Sequence, residues 1–159
     1  MFANAYPFLI TDLNLPSRIE YEFRTKDNVL YSCFFVLSNF SDGRVLHNAY
    51  EFGLTDVDED YLNRTIDFNI KNTVVTILSD YLNRTKSKFF ITVHYSNADE
   101  KANKRLKVFN RWFNEFSAQF PLKKYDLIIE ADNVTFYKSI IIHSNHKHKK
   151  AIVTEFYNL

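Results

Sequence analysis

Between residues 18 and 25 the chain reads Arg-Ile-Glu-Tyr-Glu-Phe-Arg-Thr, so that Ile19, Tyr21 and Phe23 alternate with charged neighbours. A period of two with one charged face predicts a strand with one side in water. Lys26-Asp27-Asn28 supplies a turn, and residues 29–39 form a longer strand. There Tyr31, Cys33, Phe35 and Leu37 share one face, while Leu30, Phe34 and Val36 share the other. Apolar on both sides, this strand belongs in the middle of a sheet. Ser41-Asp42-Gly43 is a second turn signal, and residues 46–54 complete a three-stranded antiparallel meander.

Beyond an acidic loop at 55–60 the spacing changes. Ile70, Val74, Ile77, Leu78, Tyr81 and Leu82 fall three and four residues apart, which predicts an amphipathic helix from about Asp67 to Asn83. A short apolar strand follows at 89–95. Ala102, Leu106, Phe109, Phe113 and Phe116 then repeat at four, three, four and three, predicting a second helix over about 99–116. Ser96 or Asn97 can cap it, with Asp99 and Glu100 at the positive end of its dipole. A hairpin is expected from 125–130 and 134–143 about a turn at Ala131-Asp132-Asn133, then a short tail helix over 149–159. The hexapeptide Asp-Tyr-Leu-Asn-Arg-Thr occurs at both 60–65 and 80–85, but its flanks do not repeat, so it marks no solenoid.

These elements make an α+β fold: a three-strand N-terminal meander, helix, strand, helix, C-terminal hairpin and tail helix. The sheet is antiparallel and the helices are expected on one face, since the first strand presents charges on the other. A single domain over 1–159 is expected, with 1–17 as an N-terminal extension.

Composition sharpens this picture. Sixteen Phe and ten Tyr against two Gly suit a wide sheet core and leave no glycine-rich phosphate loop. Cys33 is the single cysteine, which excludes an intramolecular disulfide and points to a reducing compartment. The partly apolar start lacks a basic n-region and is broken by Asn4, Pro7 and Asp12, so neither a signal peptide nor a membrane span is expected. The expected location is the cytoplasm. Net charge is +1, but residues 1–60 hold 10 acidic and 4 basic side chains, and residues 61–159 hold 9 acidic and 16 basic.

The basic excess concentrates in two places. Lys101, Lys104, Lys107 and Arg111, with Arg105 beside them, share a face of the second helix, where phosphates could be neutralised and Trp112 could stack on a base. The segment His143-Ser-Asn-His146-Lys-His148-Lys149-Lys150 is a second anion contact. Without a carboxylate or thiolate partner it does not read as a metal site, and no cofactor is called for. For acid–base chemistry the candidates are His94 with Asp99 and Arg105, acting on a phosphodiester.

Several spaced residues resemble a family of small Bacteroidota proteins known only as a domain of unknown function. They are Tyr21-x-Phe23-x-Thr25, Tyr31-x-x-x-Phe35, Tyr50-x-Phe52, Asp67 with Thr73, Ile77 and Leu78, and Asp99 with Arg105-x-x-x-Phe109-x-x-Trp112-Phe113. Ile140-Ile141, Asn145, Ile152 and Phe156 also fit, so the likeness spans roughly residues 19–159. Lys101 and Lys107 stand where arginine is usual, and His146 where proline is usual, which weakens an arginine-specific role. The resemblance implies a small cytoplasmic protein of a toxin–antitoxin or phage-defence locus, and no particular activity. The reading favoured by the residues is a binding module, rather than an enzyme, that engages nucleic acid or an acidic protein through its basic helix. The alternatives are a nuclease-like toxin using His94 and Arg105, and a homodimeric structural subunit joined through Trp112 and Phe113.

Overall fold

The computed structural model describes residues 4–15, 17–37, 49–56, 67–85, 90–95 and 100–159. Its elements are β1 (Phe8–Asn14), β2 (Arg18–Arg24), β3 (Leu30–Leu37), β4 (Ala49–Asp56), α1 (Phe68–Thr85), β5 (Phe90–Tyr95), α2 (Ala102–Ser117), β6 (Leu122–Ala131), β7 (Val134–His143) and α3 (Lys149–Tyr157). The fold is α+β, with a mostly antiparallel sheet of seven strands in the order β1-β2-β3-β4-β5-β7-β6. Among the described residues no helix is long and apolar enough to cross a membrane. The first hexapeptide copy and the Ser41-Asp42-Gly43 turn lie outside the described residues. The chain divides into two compact units, Met1–Leu37 with Phe52–Lys86 and Ser38–Glu51 with Ser87–Leu159.

In the first unit the expected extension is itself structural. β1 pairs antiparallel with β2, with a bulge between Ile10 and Asp12. Just before it, Tyr6 donates its backbone N–H to Thr73 Oγ1 (2.8 Å) and its hydroxyl to Asp67 Oδ2 (2.6 Å). The alternation of β1 is weak, because Asp12 and Asn14 interrupt it, and only long-range pairing makes it a strand. Ile19, Tyr21 and Phe23 are buried as their alternation requires, and Phe35 stacks on Tyr81 of α1 at 3.7 Å. Asp67 caps α1 by accepting the Asn69 N–H at 2.9 Å. Tyr21 donates to Asp80 at 2.8 Å, and Arg84 donates to the same oxygen, so the second hexapeptide copy closes the helix onto the sheet. The Cys33 thiol is fully buried, and desolvation holds its pKa far above the ordinary thiol value.

In the second unit β5 pairs with β7 and β6 with β7, both antiparallel. The β6–β7 hairpin turns at Asp132 and Asn133, which both take positive φ (51° and 63°), the signature of a two-residue type I′ turn. One face of this hairpin packs on α3: Phe90, Ile140 and Ile142 bury against Ile152 and Phe156, with Tyr125 and Leu127 alongside. The other face packs on α2, where Tyr95 meets Phe109 edge-on at 6.1 Å. α2 and α3 therefore cover opposite faces of β6–β7, and the tail helix departs from the expectation of helices on one face. The reason lies in β7, where Ile140 and Ile142 form a second apolar face that needs its own cover.

Candidate functional site on helix α2

Helix α2 buries Ala102, Leu106, Phe109 and Phe116 and exposes the opposite side. On a wheel of 3.6 residues per turn, Lys104, Lys107 and Arg111 lie opposite this buried row, and all three are exposed. Lys101 and Arg105 are also exposed, on the flank that carries half-buried Trp112. Val108, 36% exposed, has Lys104, Arg105, Arg111 and Trp112 as its neighbours three and four residues away. The five predicted basic residues thus share an outward-facing surface with an aromatic at its edge.

The start of this helix differs from the expected one. It begins at Ala102, its first turn holds no acidic side chain, and its N-cap position, Lys101, makes no side-chain capping bond. Glu100 takes a positive φ of 58°, which excludes it from the helix. Asp99 lies outside the described residues. Lys101, Lys104 and Arg105 stand at the start of α2, directly after Glu100.

What fixes α2 to the sheet is a polar network that the sequence reading missed. Asn110, on the inner flank of α2, donates to Asp126 Oδ2 at 3.1 Å. Ser139 donates to Asp126 Oδ1 at 2.6 Å, and Lys124 bonds both Asp126 and the Asn110 carbonyl oxygen. The Tyr95 hydroxyl meets Ser139 Oγ at 3.1 Å. The side chain of Lys124 is 5% exposed and that of Asp126 35%. Burial lowers the Lys124 pKa, outweighing the pull of Asp126. For Asp126, burial acts upward, but the hydrogen bonds from Lys124 and Ser139 prevail and hold its pKa below the ordinary carboxylate value. Every member is satisfied, so the network reads as an anchor. The signal available in the sequence was Lys124-Tyr125-Asp126, two opposite charges on one face of a strand.

The remaining candidates are not brought together. Alternation on β5 turns His94 away from Val93 and Tyr95, and so away from α2. It is exposed and stands opposite Lys138 of β7. The sheet separates it from Arg105, and the nuclease-like pair is not assembled. Of the turn histidines, His143 stands apart, while the His146 and His148 rings meet edge-on at 6.3 Å. His143, paired with Leu122, lies on the α2 side, whereas the His146 ring meets Phe90 of the α3 cluster at 6.4 Å. Their Nδ1 atoms accept the backbone N–H of Asn145 (3.1 Å) and His148 (3.2 Å), which places both rings in turn-shaping roles. Among the described residues no group of three or more His, Cys, Asp or Glu could hold a metal. His148 and Lys150 are exposed, and Lys149 donates to the Ser144 carbonyl at 2.6 Å. This segment opens α3, on the side of the hairpin away from α2, so the two basic regions are distinct surfaces.

No family model, curated protein or solved structure matches the chain.

Proposed function

We propose that this protein is a nucleic-acid-binding module that holds a single strand along the outer face of α2. Lys104, Lys107 and Arg111 neutralise successive phosphates, Arg105 flanks them, and Trp112 offers a ring edge for a base. The observation that carries the reading is that Lys104, Lys107 and Arg111 share the face of α2 opposite its buried row and are all exposed. The network from Asn110 to Tyr95 keeps the helix seated while its outer face engages a polyanion.

The test is a salt titration of affinity for a fluorescein-labelled oligonucleotide. Three to four phosphate contacts give a log–log salt slope of about −2 to −3 for a single strand. The Lys104→Glu/Lys107→Glu variant should lose most binding and most of that slope, while His148→Ala/Lys150→Ala should change little. Equal binding by the first variant and the wild type sinks the proposal. Preference for an acidic polypeptide over the oligonucleotide would assign the same face to a protein partner instead.

A further inference from the structure

Strand β6 ends the sheet order, so among the described residues one of its edges has no neighbouring strand. The two-residue turn makes Ala131 and Val134 the first mutually hydrogen-bonded pair. Alternation from there points the N–H and C=O groups of Lys124, Asp126, Ile128 and Glu130 outward. Exposed edges of this length are usually blunted by a bulge, a proline or an interrupting charge. β6 has an unbroken ten-residue register with β7 and no proline, and its charges flank an apolar Leu127-Ile128-Ile129 segment. Ile128, Val134 and Phe136 are 56%, 45% and 38% exposed around it.

We propose that this edge pairs with a second copy of the chain, the two β6 strands running antiparallel about a two-fold axis at Leu127. Such an axis stands normal to the sheet and keeps each residue on its own face, so it must pass beside a residue facing itself. Centring on Asp126 would oppose two carboxylates, and centring on Ile128 would oppose Asp126 to Glu130. Centring on Leu127 sets Lys124 opposite Glu130, Tyr125 opposite Ile129, and Leu127 opposite its own copy. Lys124, already held by Asp126, thereby gains a second carboxylate at its side. Tyr125 carries the exposed Tyr157 ring above it, with centroids 6.4 Å apart. In the same register that ring reaches Ile129 and the exposed Phe136 beside it in the other copy. Of the registers centred on Asp126, Leu127 and Ile128, the one at Leu127 alone opposes no like charges.

Sedimentation of the wild-type chain should give a dimer at micromolar concentration. Leu127→Cys should cross-link to its copy on mild oxidation. In this register the pair is not mutually hydrogen-bonded, with Cα atoms about 4.5 Å apart, within disulfide reach. The native Cys33 is buried and does not compete. Ile128→Pro removes an outward N–H, leaves the β6–β7 ladder whole, and should yield a monomer with native circular dichroism. If that variant does not fold, the cross-link alone decides. A wild-type monomer at high micromolar concentration overturns the proposal. So does a dimer in which the Leu127→Cys variant fails to link, which would move the contact to another surface such as Trp112 and Phe113.

Discussion

Replacing Asp126 by alanine removes the carboxylate bonded to a lysine whose side chain is only 5% exposed. It also strips Ser139 and Asn110 of their acceptor. Breaking a buried ion pair from one side costs about 3–5 kcal/mol. Asp126 is itself 35% exposed, and water can partly screen Lys124 in the variant, so a loss of about 2–3 kcal/mol is expected. Lys124→Met leaves a carboxylate that still has Ser139 and Asn110 as donors and has access to water, and should cost about 1 kcal/mol. The double variant Lys124→Met/Asp126→Ala leaves no unpaired charge and should fall well short of the sum, with a coupling of at least about 1.5 kcal/mol. Urea unfolding followed by the fluorescence of Trp112, the single tryptophan, measures all four corners of the cycle. The pH dependence has a defined sign. Asp126 titrates below its ordinary range when folded, so its contribution is full above that range and is lost as pH falls through the folded value. Lys124 also titrates below its ordinary value, so folding binds its proton less tightly than the open chain does, and stability rises with pH toward the ordinary lysine range. The double variant should flatten both limbs. Additive single effects, or an Asp126→Ala cost under about 0.5 kcal/mol, would refute the anchoring role.

Two further outcomes concern the first unit. A Cβ built on Gly53 would meet the Phe34 ring at 2.0 Å, so Gly53→Ala should destabilise by about 1–3 kcal/mol in the same urea assay, with partial rescue by Phe34→Leu. Cys33 is buried, and desolvation keeps its thiol protonated, so a thiol-reactive dye should label it only at the rate of unfolding. Rapid labelling in native buffer would contradict the closed β2–β3–α1 packing.

Local chemistry alone determined much of this protein. The alternation of Ile19, Tyr21 and Phe23, the three-four spacing along α1 and α2, and the Asp132-Asn133 turn each depend on neighbours within a few residues, and each matches the expected element. The exposure of Lys104, Lys107 and Arg111 follows from the same spacing, because burying one face of α2 necessarily presents the other. Tertiary structure decided the rest. β1 is a strand because β2 offers it a ladder, although its own pattern is broken at Asp12. The side of the sheet taken by His94 depends on which face α2 covers, and that choice parts it from Arg105. The Tyr95–Ser139–Asp126–Lys124–Asn110 network draws on three strands and a helix whose register no short window of sequence encodes. Lys124 and Asp126 lie on a hairpin strand, and their burial beneath Asn110 of α2 is what makes them an anchor.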